Sequence, residues 1–196
     1  MNFPYIYKNN PEYIYATSDD NVGVRYVLGK PAKKNIICFR INPSTATPEK
    51  LDKTIQNVVK IAENNGYDGW IMLNVYPKRE TQSALLQQIC KDYEKTDYHL
   101  NNLKVIKDVF DCIQEPHVWC AWGNSIMNSL SLYSYLQDIC ELLSKKNIKW
   151  LELKGMRTKS GHPRHPSRVS HSCELAEFDN FSKYVESVWN KFFSSK

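Results

Sequence analysis

The chain has 196 residues, 42% of them hydrophobic and 12% aromatic, with a formal net charge of +5 at pH 7. That size and apolar content fit one folded domain over residues 1–196 with a sizeable core, and exclude a disordered or fibrous chain. The positive excess is too small to name a partner by itself.

In chain order, Tyr13–Thr17 and Val24–Leu28 read as a small antiparallel pair. Four short apolar runs follow: Ile36–Ile41, Trp70–Val75, Val118–Trp122 and Ile148–Leu153. Each is too short for a helix and rich in β-branched or aromatic residues, so each is predicted as a buried strand. Between them, apolar residues at helical spacing predict helices over Pro48–Asn64, Tyr98–Ile113 and Ser125–Lys145, and Cys173–Phe193 predicts a final amphipathic helix. The order is strand, helix, strand, helices, strand, helix, strand, loop, helix. Such alternation implies an α/β fold: helices on both faces of a central, mainly parallel sheet of about four strands. The tail Ser194–Lys196 is expected to fray.

Six cysteines occur, none in a C-x-x-C pair, and several lie within apolar runs. With no signal peptide and no apolar run of membrane length, a reducing cytoplasm is the expected compartment, with no membrane partner. A monomer is expected.

In a parallel sheet, ligands lie outside the carboxyl ends of the strands. Here those ends read Asn42-Pro43-Ser44-Thr45, Asn74-Val75-Tyr76-Pro77, Trp122-Gly123-Asn124 and, after the fourth run, a basic loop. From Lys154 to His171 that loop holds Lys154, Arg157, Lys159, Arg164, Arg168 and three histidines, with no acid. Its two His-Pro pairs stiffen it and exclude a helix, and its cations favour phosphate. Taken singly, Asn42-Pro43 reads as a turn and Trp122-Gly123 as core packing before a turn. Their joint occurrence at matching strand ends points to a site. There is no glycine-rich phosphate loop or nucleophile elbow, and His162, His165, His171 and Cys173 match no common zinc spacing.

Asn42-Pro43-Ser44-Thr45-Ala46, Asp52-Lys53-Thr54, Leu73-Asn74, Trp122-Gly123 and Lys159-x-Gly-x-Pro-x-His165-Pro166 together resemble an uncharacterised bacterial and phage family, domain of unknown function 1643, from about Arg25 to Ser170. The same landmarks are similar to the uracil-DNA glycosylase superfamily. Ile41-Asn42-Pro43-Ser44 is similar to its GINPG motif, Ile71-Met72-Leu73-Asn74 to LLLN and Trp119-Cys120-Ala121-Trp122-Gly123 to LLWG. His165-Pro166-Ser167-Arg168-Val169-Ser170 is similar to HPSPLS.

This resemblance implies a DNA glycosylase working on a base flipped from duplex or single-stranded DNA, in repair or in defence against phage. By it, His165 would donate a hydrogen bond to the base O2 as negative charge develops there. Asn74 would read the Watson–Crick edge, and Asn42 would position the attacking water, since an amide cannot be a general base. Ser44, where the GQDPYH form has tyrosine, would leave space for a C5-modified pyrimidine. Tyr76 would stack on the base or, as a buried aromatic, pack in the core. Lys159, Arg164, Ser167, Arg168 and Ser170 would hold flanking phosphates, with Val169 as the wedge. Asp52 and Thr54 would cap a helix or shape the pocket. No metal or cofactor is required. Two alternatives stand beside this: a non-catalytic DNA-binding module for damaged or modified bases, and an N-glycosidase acting on nucleosides or RNA.

Overall fold

Alternate residues of the central strands face opposite sides, and the apolar ones divide accordingly into two cores. The computed structural model describes residues 2–18, 23–79 and 97–193. Its strands are β1 (Ile14–Thr17), β2 (Arg25–Lys30), β3 (Asn35–Arg40), β4 (Gly69–Asn74), β5 (His117–Cys120), β6 (Lys149–Leu153) and β7 (Leu175–Glu177). Its α-helices, among the described residues, are α1 (Lys53–Asn64), α2 (Asp97–Asp111), α3 (Leu130–Leu142) and α4 (Phe181–Phe193). Ile37 and Phe39 of β3, Ile71 and Leu73 of β4, and Val118 and Cys120 of β5 join one core with residues of α2, α3 and α4. Ile36, Cys38, Trp70, Met72 and Trp119, of the opposite parity, join a second core with Ile55, Val58 and Ile61 of α1. Period-2 side-chain alternation thus gives the sheet two apolar faces, each covered by helix.

The sheet has seven strands in the order β1-β2-β4-β3-β5-β6-β7. The expected four are its parallel centre: β4 pairs with β3, β3 with β5 and β5 with β6, all parallel. The N-terminal pair is antiparallel as expected, but it is no separate unit. β2 pairs antiparallel with β4 from Leu28↔Met72 to Lys30↔Trp70, so the pair extends the sheet. Gly29 permits this junction, since a Cβ there would lie 2.7 Å from the Trp70 carbonyl oxygen.

The helices differ from expectation mainly at their starts. α1 begins at Lys53 rather than near Pro48, because Asp52 is its N-cap and accepts from the Ile55 amide. Residues expected to open the third helix form a 3₁₀ turn, Gly123–Asn128. Extended Ser129 then caps α3 by accepting from the Ser131 amide. The expected helix from Cys173 is corrected too: Leu175–Glu177 pair antiparallel with β6, and only Phe181 onward is helical. The prolines of the basic loop admit one 3₁₀ turn, Pro166–Arg168, with Pro at its start. Of the helices expected between the second and third apolar runs, α2 is described. Residues 80–96, with Cys90, and the tail from 194 lie outside the described residues. No helix among the described residues is long and apolar enough to cross a membrane.

At the entry to the parallel centre, Asn35 folds back on Ala32, accepting from its amide at 2.8 Å and donating to its carbonyl at 2.8 Å. Gly69, its partner across the β3–β4 ladder, leaves room for this turn, since a Cβ there would lie 2.1 Å from Asn35 Oδ1 and 2.4 Å from the Ala32 nitrogen. Gly69→Ala is expected to destabilise the fold by about 2 kcal/mol or more through this overlap. Urea unfolding checks it, and an unchanged midpoint would mean that the turn yields freely.

Candidate functional site

The four parallel strands deliver their carboxyl ends to one edge. β3 runs through Arg40 into Asn42, and its ladder with β4 continues as the Val75 amide donates to the Arg40 carbonyl at 2.8 Å and the Tyr76 amide to that of Ile41 at 2.8 Å. Beyond β5, Gly123 takes φ +64° and its amide donates to the Pro163 carbonyl at 3.0 Å. A Cβ on Gly123 would lie 3.5 Å from that of His165, so the strand-end glycine lets the basic loop come close.

Helix α1 on one face of the sheet, and Tyr184 of α4 with Trp122 in the opposite core, hold that loop from several points. Asn57 of α1 donates to the Pro166 carbonyl at 3.1 Å, and its Oδ1 bonds His171 Nε2 at 2.9 Å. One helical stretch further on, Asn64 donates to the His171 carbonyl at 2.9 Å. His162 is buried, with Nδ1 3.0 Å from the Tyr184 hydroxyl, to which Trp122 Nε1 donates at 2.8 Å. His162 and His171 thus anchor the loop, and His165 is left as the histidine at the strand ends.

Both ring nitrogens of His165 face donors. Nε2 accepts from Arg40 Nε at 3.1 Å, and Nδ1 lies 3.2 Å from the Ser167 amide. A neutral imidazole has one acceptor nitrogen, and a protonated one has none. Burial, then the charge of Arg40, push the His165 pKa down to about 3, with Asp52 acting in the opposite sense. His165 is therefore a neutral acceptor at pH 7. Donation from Nε2, the role the glycosylase resemblance implies, requires Arg40 to turn away.

The residues that the sequence reading missed are the arginines. Arg40 is 8% exposed and Arg25, at the start of β2, is fully buried. Arg25 donates from Nη1 to the Ala46 carbonyl at 3.0 Å, but its Nε and Nη2 meet no partner among the described residues, and neither does Arg40 Nη1. An unmet interior donor costs about 1–3 kcal/mol. Burial first, then repulsion from Arg40 and Arg79, push the Arg25 pKa down to about 9, so it remains charged at pH 7. Burial also lowers the Arg40 pKa. Asn74 sits between them: it is Arg40's partner across the β3–β4 ladder, and its Nδ2 donates to the Arg25 carbonyl at 3.3 Å. Asn74 is fully buried, and its Oδ1 meets no partner among the described residues. The available signal was an arginine inside each of two predicted strands, Arg25 in Val24–Leu28 and Arg40 in Ile36–Ile41.

One carboxylate faces this group. Burial raises the pKa of half-buried Asp52, but the Ser44 hydroxyl, the Ile55 amide and the charges of Arg40 and Arg25 outweigh it and hold Asp52 below its usual value. Ser44 makes no bond of strict geometry, yet lies near enough to favour the ionised carboxylate. Capping by Asp52 is as expected; its electrostatic place beside Arg40 and His165 was not foreseen.

The other expected residues divide. Asn42 is buried at the end of β3, with Nδ2 3.3 Å from the Pro43 carbonyl. Lys159, Arg164, Ser167 and Arg168 are exposed on the loop, and Ser170 is exposed with its hydroxyl 2.7 Å from that of Ser172. Val169 is half-buried against the α1-side core. Tyr76 belongs to the opposite core, with one face of its ring stacked on Tyr135 at 5.7 Å between centroids. The loop's cations are not all unopposed, since folding brings acids from outside it. Lys154 pairs with Glu174 at 2.6 Å and Arg157 with Glu152 at 2.6 Å, leaving Lys159, Arg164 and Arg168 without an acid partner among the described residues. No three His, Cys, Asp or Glu side chains group to hold a metal ion among the described residues.

The family described as "Protein of unknown function (DUF1643)" matches the chain over residues 25–167, a stretch that opens on Arg25 and ends just past His165. No curated protein and no solved structure matches.

The state of His165 has a consequence in acid. The folded chain keeps this imidazole neutral down to about pH 3, whereas the unfolded chain takes up the proton near the usual 6.5. Its contribution to stability is present above pH 6.5 and is lost as pH falls through that window. Chemical denaturation at pH 7 and pH 4.5 is expected to show a smaller acid loss for His165→Gln than for the parent. Equal losses would mean that the ring is free to protonate in the fold.

Proposed function

The chain belongs to the DUF1643 family of proteins of unknown function, and from the chemistry at its strand ends we propose that it is a DNA N-glycosylase. It hydrolyses the base–sugar bond of a flipped, C5-modified pyrimidine and leaves an abasic site. The observation that supports this reading is the meeting of an ionised carboxylate, a neutral imidazole and two buried amides at the carboxyl edge of the parallel strands. Beside them runs a loop with the exposed cations Lys159, Arg164 and Arg168.

In the reaction the C1′–N bond breaks with its electron pair leaving on the base. Water adds to C1′ and gives up a proton. Asn42 orients that water, and Asp52, held ionised, accepts the proton that an amide cannot take. His165, once Arg40 has moved from Nε2, takes the Nε2–H tautomer and donates to the base O2 as charge develops. Asn74 Oδ1, buried and without a partner among the described residues, is an acceptor for an exocyclic amine or ring N–H of the base. Ser44 puts a small side chain where a substituent at C5 needs space. The exposed cations, with Ser167 and Ser170, hold the flanking phosphates without reading sequence. The half-buried Val169 contributes its exposed part to the gap.

A second reading, a DNA-binding module without turnover, is favoured by the Arg40–His165 bond, which occupies the nitrogen that catalysis needs. Mass spectrometry of bases released from DNA containing uracil, hydroxymethylated or glucosylated pyrimidines distinguishes the two. Release of a modified base is expected. It should fall about 100-fold or more in Asn42→Ala, His165→Ala and Asp52→Asn. Asp52→Asn is the sharpest of these, because asparagine also caps helices and so α1 keeps its cap. Release of uracil alone would reject the C5-modified substrate. Salt-dependent DNA binding by a parent protein that releases nothing would establish the binding module.

A further inference from the structure

A guanidinium carries five N–H donors, and an interior arginine that serves only structure is ordinarily matched by a carboxylate or by carbonyl oxygens. Arg25 and Arg40 are not matched in this way. Among the described residues each makes a single side-chain bond, Arg25 to the Ala46 carbonyl and Arg40 to His165, and each leaves buried donors unmet. Arg79 is similar: its Nη2 donates to the Tyr15 hydroxyl at 2.8 Å, while its buried Nε meets no partner among the described residues. Arg40 and Arg79 are each near enough to Arg25 to repel it, and Asp52 is the carboxylate that acts on Arg25 and Arg40. Among the described residues, Arg25 and Arg40 therefore share one negative charge, with Arg79 adding a third positive charge beside Arg25, at the edge where a ligand is expected.

We propose that Arg25 and Arg40, supported by Arg79, form a receptor for one compact oxyanion, a phosphate or a carboxylate, on the part of the ligand that enters the strand ends. Depth separates this receptor from the loop. Lys159, Arg164 and Arg168 are exposed and can touch a polymer backbone that stays outside, whereas Arg25 and Arg40 can be reached only by a group small enough to enter. The planar, forked guanidinium suits such an oxyanion, giving two parallel hydrogen bonds where a lysine would give one. Binding also accounts for the His165 arrangement. An anion that draws Arg40 to itself removes the donor from His165 Nε2, and that nitrogen can then carry a proton toward the ligand. The arginines would thus couple entry of the anionic group to the state of His165.

The oxyanion could come from the phosphate of a nucleotide or from an acidic substituent on the base itself. Thermal unfolding of the full chain tests the receptor with inorganic phosphate, deoxycytidine 5′-monophosphate and 5-carboxydeoxycytidine, against sodium chloride at matched ionic strength. Base release is not needed, so failure of the glycosylase reading would leave this result standing. At saturation, a rise in midpoint of about 5 °C is expected with at least one probe. It should be abolished in Arg25→Met and in Arg40→Met, which keep an unbranched side chain. A rise with the monophosphate but not the carboxylated nucleoside identifies a phosphate as the group, and the reverse identifies the base substituent. If either variant fails to fold, the arginine Nε–H resonances of the ¹⁵N-labelled parent serve instead, and those of Arg25 and Arg40 should shift with the same probe. No response to any probe beyond that to chloride, or a response unchanged in both variants, would overturn the receptor.

Discussion

The hydrogen bond from Arg40 to His165 is the contact on which the arrangement of the site depends. It joins the last residue of β3 to a loop more than a hundred residues later, and it fixes which protons the imidazole can hold. Because a guanidinium does not give up its proton at neutral pH, the bond has one direction, and His165 must accept. The loop is brought into reach by contacts that have no chemistry of their own: the left-handed Gly123, the Asn57 clamp on Pro166, and the His162–Tyr184–Trp122 chain. Each takes up a backbone or ring polar group that burial would otherwise leave unmet, so the loop has a defined position despite its lack of regular structure.

Electrostatics then separates the two ends of the basic region. Toward the surface, Lys154 and Arg157 are neutralised by Glu174 and Glu152, and the Lys154–Glu174 contact stabilises little because both of its partners are wet. In the interior the same sign of charge is far less screened, and it is opposed by Asp52 alone among the groups acting on both arginines. The interior excess, not the modest net charge of the chain, gives the site its character.

Much of the fold was legible because it rests on local periodicity. Apolar runs such as Ile36–Ile41 and Trp70–Val75 are buried on both faces, and that leaves an unmistakable pattern in sequence. The margins were harder to read. Leu175–Glu177 is a three-residue strand, too short to show a period, and it is set by pairing with β6 rather than by its own composition. Asn42, Asn74 and Gly123 were legible as a converging set because parallel topology puts strand ends on one edge. Arg25 and Arg40 were not, since an arginine at the end of an apolar run looks like the point where a strand meets solvent. Only tertiary burial shows that Arg25 has no access to water. The acid-free loop misled in the opposite direction, because its counter-charges come from outside the segment.

Helix α1 has a mechanical consequence beyond its share of the core. Asp52 stands at its head, Asn57 grips the loop at Pro166 and His171, and Asn64 and Asn65 bond the backbone at His171 and Cys173. The carboxylate and the histidine loop are therefore mounted on one rigid rod. A small tilt of that rod would carry both together and change their distance to Arg40 and Asn74, which belong to the sheet. The apolar side chains of residues such as Val58 and Ile61, which make no polar contact, thereby set the gauge between the two halves of the site. Volume changes beneath α1 would retune the site while leaving every polar residue in place.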